Sequence, residues 1–347
     1  MKYNCGPAGL FLALLAPICH AEIASEFLLF PHAEAIFRPD LTGSSVLADD
    51  EFGFGADTFA TVDQGNFRFL GEALLTRREQ EIERLQFGFM AGVNQIWLGR
   101  FHNPMGYWNT QFHHGPYLET SASRPAIENY EESGLLPMHL TGLLFEGAIE
   151  QNGHGWGYAF AAGAGPGLTD ALEPVDILDP GAGSHDISLT LNLHYEPMLY
   201  APTRYGVFAN YTEIPAAAAP LRNVRQVTAG LYGNWESGPW RLLGSVFHIR
   251  YELEHDTGDE HDEIFSGYIQ AEYKLTEPWT LFGRLEWTLG DEADAYLRLF
   301  PQHVNDRLLG GVRLDFMERH ALKLEISDNR TQSGDYSQIV LQWNAMF

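Results

Sequence analysis

The chain has 347 residues, with 21 basic and 46 acidic residues that give a formal net charge of −25. This acidity argues against nucleic acid as a partner, because the phosphates would be repelled, and it favours cations near the surface. No apolar run reaches the roughly 18 residues that a membrane-spanning helix requires.

The N-terminal segment indicates a secretory signal peptide over residues 1–21. Lys2 is followed by the apolar run from Leu10 to Ala16, and small residues precede the expected cleavage after Ala21. Both cysteines of the chain lie in this segment, so we expect the exported protein to fold without disulfide bonds. No linker or composition shift divides the remainder, which predicts a single domain over residues 22–347.

Apolar and polar residues then alternate with a period of two along most of the chain, which is typical of strands with one apolar face. Between Trp279 and Leu289, leucine and tryptophan lie on one face while Arg284 and Glu286 lie on the other. Sixteen strands are predicted, with fourteen or eighteen as alternatives, at residues 26–37, 52–62, 66–76, 81–93, 95–101, 138–150, 155–164, 186–195, 204–213, 225–236, 240–253, 264–275, 279–289, 305–316, 320–327 and 336–347.

The connections between these strands mostly alternate in length. Short turns rich in Gly, Pro and Asn, such as 63–66 and 151–154, alternate with longer segments such as 102–137 and 165–185. Short turns at one end and long loops at the other are typical of an outer-membrane barrel with both termini in the periplasm. That arrangement requires an even number of strands.

The last strand, Tyr336 to Phe347, alternates with Gln342 and Asn344 on the polar face and ends in an aromatic residue. This pattern is typical of the strand that closes a bacterial outer-membrane barrel. The sequence therefore predicts an all-β fold, a transmembrane antiparallel β-barrel of about 16 strands in the bacterial outer membrane, surrounded by its lipid.

A barrel of sixteen strands is wide enough for an aqueous channel. The polar faces of the predicted strands carry charged and imidazole side chains that would point into this channel. The predicted pore-lining residues are Arg68, Glu72, His194, His248, Arg284, Glu286 and Arg313.

The strand ladder, the terminal Phe347 and a long third connection together resemble Gram-negative porins. In addition, the stretch from Ile96 to Asn109 is similar to the "GRF-x-x-P-x-G" stretch of the phosphate-selective porin O/P superfamily. The resemblance implies a diffusion pore and a homotrimer. Phosphate binding in that superfamily depends on a ladder of Arg and Lys, and this acidic chain departs from it, so anion selectivity is not carried over.

The longest connection, Phe101 to Pro137, is the third on its side of the barrel. Loops of this length are usually functional, and the porin resemblance implies that this one folds into the lumen and narrows it. The predicted constriction residues are His102, His113, His114, Glu119, Arg124, Glu128, Glu131 and Glu132.

Several histidines lie among carboxylates, and imidazole with carboxylate suits zinc and similar metals. Two groups are candidates for a divalent cation, either zinc or, bound loosely by outer loops, calcium. The third connection and the next strand offer one group, and the sixth loop, Glu254 to Glu263, offers the other. Ordinary histidines in solvated loops remain the alternative. The candidate ligands are His102, His113, His114, His139, His255 and His261.

The sequence thus predicts an outer-membrane porin for passive diffusion of small hydrophilic solutes or ions, with a preference for cations. One alternative is a channel specific for a divalent metal such as zinc. Another is a surface barrel without transport, either an adhesin or a barrel enzyme. Catalysis is not expected, and no cofactor is predicted beyond the divalent cation.

Overall fold

The structure is a computed structural model that describes residues 23–39, 51–76, 80–112, 115–129, 134–199, 201–290 and 294–347. Within these residues, sixteen antiparallel strands form one closed barrel, each strand pairing with its neighbours in sequence. The strands are Ile23–Phe37 (β1), Glu51–Gln64 (β2), Phe67–Thr76 (β3), Gln80–Ala91 (β4), Asn94–His102 (β5), His139–Gln151 (β6), His154–Ala164 (β7), Ile187–Glu196 (β8), Arg204–Pro215 (β9), Leu221–Ser237 (β10), Trp240–His255 (β11), Gly258–Lys274 (β12), Trp279–Leu289 (β13), Val304–Phe316 (β14), His320–Thr331 (β15) and Gly334–Ala345 (β16).

The first and last strands close the barrel. β1 pairs with β16 from His32 opposite Asn344 to Phe37 opposite Ile339. Beyond this ladder, the backbones of Leu29 and Phe347 exchange two hydrogen bonds of 2.9 Å each. The all-β fold and the sixteen strands are therefore confirmed. The predicted signal segment lies outside the described residues.

The sixteen strands form the wall of the barrel. Its outer face is apolar and its inner face carries polar side chains, as the alternation predicts. On β13, Leu281 and Leu285 are 44% and 50% exposed on the outer face. Arg284 and Glu286, which alternate with them, are 1% and 3% exposed. The described residues contain no helix that is both long and apolar enough to cross a membrane.

Glycines permit the tight turns at the short-connection end. Gly65 and Gly153 adopt left-handed φ angles of 60° and 82°, a conformation that costs other residues energy. The longer connections contain short elements of their own. Among the described residues, these are the helix Trp108–Gln111 (α1), the 3₁₀ turns Ala126–Glu128 and Leu297–Leu299, and the two-residue strands Gly167–Leu168 and Leu172–Glu173.

The prediction that Glu254 to Glu263 form the sixth loop is wrong. β11 continues through His255, β12 begins at Gly258, and Glu254 pairs with Asp259. These strands have 16 and 17 residues, whereas a bilayer needs about 9–11. The hairpin can therefore carry charges on both faces near its tip, and such strands lack the apolar alternation on which the prediction rested.

Candidate functional site

The connection between β5 and β6, residues 103–138, is here called the long connection. Its hydrogen bonds reach strands that are remote from β5 and β6 in the barrel. The wall side chains that bond to it come from β8 and β10–β15, and they are Thr190, Asn192, Gln226, Arg241, Ser245, Tyr268, Glu272, Arg284, Glu286, Arg307, Arg313, Lys323 and Glu325.

Arg284 and Glu286 on β13 hold the middle of the long connection. The Arg284 guanidinium donates to Ser121 Oγ at 3.0 Å and to the Ser123 carbonyl at 2.9 Å. Its Nε donates to Glu286 at 2.7 Å, and Glu286 accepts from the Ala126 backbone N–H at 2.7 Å. Because both wall side chains are buried, these charge-assisted bonds are strong. This pair attaches the connection to the wall.

Lys323 and Glu325 on β15 form a second attachment, again with one cation and one anion. The Lys323 ammonium donates to the carbonyls of Pro116 and Ser121 at 2.5 and 2.8 Å. Glu325 accepts from the backbone N–H of Ala122 at 2.9 Å. The wall thus offers a cation to backbone carbonyls and an anion to a backbone N–H within one short stretch of the connection, which fixes its path.

Glu128 joins two parts of the connection to the wall. Its carboxylate accepts from the Asn109 backbone N–H at 2.6 Å, and from the hydroxyls of Ser245 on β11 and Tyr268 on β12 at 2.9 Å each. Gly106 lies against it, with a φ of +69°, and a Cβ there would be 2.5 Å from the Glu128 carboxyl carbon. Glu128 is fully buried, so it anchors the connection and does not face water.

The connection also packs through apolar side chains. Trp108 is fully buried and lies 4.7 Å from Phe112 and 6.3 Å from Tyr268 between ring centroids. The Arg284 guanidinium sits 5.3 Å from the Trp108 ring centre, a cation–π distance. We call the larger cluster the loop core, and it contains Met105, Tyr107, Trp108, Phe112, Ile127, Leu135, Leu136 and Met138 packed with Phe208, Phe247, Ile249, Tyr251, Leu253, Tyr268, Tyr296 and Phe300.

Burial of Glu128 predicts a pH-dependent stability. Desolvation raises the pKa of its carboxyl, against the lowering effect of the donors around it. The folded state therefore holds the proton more tightly than the unfolded state, so the contribution of Glu128 is fully present below its ordinary pKa and is lost as pH rises through the folded value.

We expect the melting temperature of Glu128→Gln, relative to wild type, to increase as the pH rises from below the ordinary pKa of glutamate through the raised pKa of Glu128, because glutamine cannot ionise. Thermal unfolding followed by circular dichroism checks this difference. A constant offset across the pH range would contradict it.

The remaining predicted constriction residues fall into two groups. Glu119 is buried and accepts from Trp108 Nε1 at 3.0 Å, while its carbonyl accepts from Arg313 at 2.6 Å. Arg124 is half-buried, and its carbonyl accepts from Arg307 at 3.1 Å. His102 closes β5 and is buried. Four predicted residues lie outside the described ranges, namely His113, His114, Glu131 and Glu132.

Some of the predicted pore-lining residues contact other wall residues, and others bond to the long connection. Arg68 pairs with Asp63 near a short turn, and Glu72 accepts from Arg84 at 2.5 Å. His194 is partly exposed, with its Nε2 3.8 Å from Glu196. Arg284, Glu286 and Arg313 bond to the long connection, as described above.

His248 does not line the lumen. It lies on the face of β11 that carries the exposed Val246, stacks on Phe265 at 4.3 Å and contacts Glu263 at 3.0 Å. The opposite face of β11 carries Arg241 and Ser245 together with apolar residues of the loop core such as Phe247 and Ile249. The rule that polar side chains point inward therefore fails for His248.

A cavity of about 420 Å³ lies beside the long connection, bordered by β3–β10. Its lining mixes apolar with polar side chains and includes Arg84, Glu146, His194, Arg204 and Tyr158. Gln270 and Lys323, on the opposite part of the wall, are fully buried.

At the base of the long connection, His102 and His139 meet a residue that sequence reasoning missed, Glu83 on β4. One ligand atom from each of the three side chains lies within 4.8 Å of the others, and all three are buried. Among the described residues this is the only such group, so His255 and His261 take no part in one.

No protein-family model matches the chain. No curated protein sequence matches it either. Solved structures do match. An anion-selective porin from Comamonas acidovorans aligns with a TM-score of 0.64 and 11% identity over 94% of this chain and 100% of that one. The fold is that of outer-membrane porins.

Two further porin-fold structures are similar. Salmonella typhi OmpF, solved with daunomycin, has a TM-score of 0.62 and 10% identity over 93% of this chain and 97% of that one. The trimer form of Vibrio cholerae OmpT has a TM-score of 0.58 and 8% identity over 94% and 99%. Identities this low establish the porin fold alone, and the resemblance to the O/P superfamily stays a prediction.

Proposed function

We propose that the protein is an outer-membrane porin for passive diffusion of small hydrophilic solutes or ions. The observation that carries this proposal is a closed sixteen-stranded barrel with an apolar outer face and an interior cavity of about 420 Å³ that is lined in part by polar and charged side chains. An apolar exterior suits lipid and a polar interior suits water. The many bonds from the long connection to buried wall residues support its placement in the lumen, where it narrows the path.

We further propose a preference for cations, supported by the excess of acidic residues across the chain. Both acidic and basic side chains lie beside the cavity. Removing one charge of each sign therefore tests the proposed preference for cations. Glu146 accepts from Trp97 Nε1 at 2.8 Å, and Arg204 pairs with Glu196. Both line the cavity, so each charge would act on passing ions.

The test is the reversal potential of the purified protein in a planar bilayer under a KCl gradient. We expect a cation-selective potential that Glu146→Gln weakens and Arg204→Gln strengthens, because each change removes one charge beside the path. An anion-selective potential would contradict the cation preference. A folded barrel without conductance would contradict the porin proposal and leave a non-transport surface barrel.

A channel specific for a divalent metal is the second candidate, supported by His102, which borders the cavity and belongs to the group with Glu83 and His139. Zinc uptake into vesicles faster than calcium uptake would favour it. The homotrimer also stays a proposal, supported by the similar structure described as a trimer form.

A further inference from the structure

Glu83, His102 and His139 come from three neighbouring strands. His102 is the last residue of β5 and His139 is the first of β6, and the two are directly paired in the ladder. Their rings lie 4.8 Å apart between centroids, at 77°. Glu83 Oε2 lies 2.9 Å from His139 Nε2 and 3.7 Å from His102 Nε2.

The separations suit a transition-metal ion. In a tetrahedral zinc site with bonds of about 2.0–2.1 Å, ligand atoms lie about 3.3 Å apart. The two distances from Glu83 Oε2, 2.9 and 3.7 Å, lie on either side of that value, and all three ligand atoms lie within 4.8 Å of one another. Two imidazoles with one carboxylate favour zinc and similar metals over calcium, which prefers oxygen ligands.

A local irregularity of β4 brings Glu83 to this place. The pairing of β3 with β4 shifts register between Glu72 and Leu74, where β4 has one extra residue. Glu83 and Arg84 are consecutive and both are buried, which strict alternation does not allow. Bulges of this kind often redirect a side chain next to a functional site.

We propose that Glu83, His102 and His139 bind a zinc ion that clips the two ends of the long connection together. His102 borders the cavity, which gives the ion a route to the buried site and leaves room for a water molecule as fourth ligand. The clip would hold the connection at its base, in addition to the wall bonds along its length.

The test uses the full-length folded protein, treated with EDTA and titrated with Co²⁺ and then Zn²⁺. We expect one Co²⁺ to bind with the visible absorption of a tetrahedral site, and Zn²⁺ to displace it. Glu83→Gln, His102→Ala and His139→Ala should each weaken binding by at least about ten-fold, the scale seen when a metal site loses a supporting group. The control His261→Ala, an exposed histidine outside the group, should bind as wild type does.

The proposal is overturned if the wild type does not bind Co²⁺, or if the His102→Ala and His139→Ala variants bind it as tightly as the wild type does. Either result favours a hydrogen-bonded triad without metal. Folding of each variant is verified by heat-modifiable mobility in SDS gels. Should a variant not fold, protease cleavage of the wild-type long connection with and without Zn²⁺ decides, since the clip predicts slower cleavage with Zn²⁺. These readouts do not involve conduction, so they remain valid if the porin proposal fails.

Discussion

Replacing Arg284 with alanine is expected to destabilise the barrel by about 3–5 kcal/mol, the usual cost of removing one partner from a buried ion pair. Arg284 donates to Ser121, Ser123, Gln270 and Glu286, and its loss leaves the Glu286 carboxylate buried with fewer donors. Equilibrium unfolding in denaturant measures the stability. Because the middle of the long connection loses an anchor, single-channel conductance should rise and become noisier.

Arg330→Ala is the matched control for this change. Arg330 is 69% exposed on β15, and it lies 3.6 Å from Asp306 and 3.9 Å from Asp335. Exposed pairs contribute little, so the unfolding free energy should change by less than about 0.5 kcal/mol. If both arginine variants lost equal stability, the anchoring role of Arg284 would be refuted.

Trp108→Ala alone is expected to cost about 3–5 kcal/mol, because it opens a cavity at a fully buried site in the loop core. The change also removes the bond from Trp108 Nε1 to Glu119. Trp108→Phe keeps most of the apolar contact and should cost much less. Denaturant unfolding of both variants checks the order, and a Phe variant as unstable as the Ala variant would show that packing is not the cause.

The two sites are expected to be coupled. Because the Arg284 guanidinium lies 5.3 Å from the Trp108 ring centre, the double variant should lose less than the sum of the single losses, by roughly 1 kcal/mol. A double-mutant cycle measures this term. Strict additivity would mean that the charged and apolar attachments act independently.

The strand ladder could be predicted from the sequence because alternation is local. The residues of each strand suffice to show which of its faces is apolar. Glycines such as Gly65 and Gly153 indicate the positions of the turns. The alternation of the last strand and its terminal aromatic residue, Phe347, predicted that this strand closes the barrel. The hairpin around His255 was missed because its charged tip carries no alternation.

The contacts of the long connection could not be predicted in the same way. Alternation separates inward from outward side chains, but a polar side chain that faces water and one that faces a docked backbone have the same sequence pattern. Arg284 and Lys323 therefore were not distinguishable from water-exposed residues. Glu83 was missed for another reason, since the register shift on β4 places two consecutive residues in the interior.

The partners of the long connection come from strands synthesised much later. Ser121 bonds to Arg284, 163 residues further along the chain, and to Lys323, 202 residues further. The connection can dock only after these strands have been assembled side by side, because until then its binding surface does not exist. Contacts of such long range are slow to form.

An order of assembly follows from this geometry. The strands that carry these partners must be side by side before the long connection can bond to them. Under the proposed porin function, a barrel whose long connection has not yet docked would have a wider path than the mature protein. Any change that delays docking would then be observed first as increased permeability of the outer membrane and not as loss of the barrel.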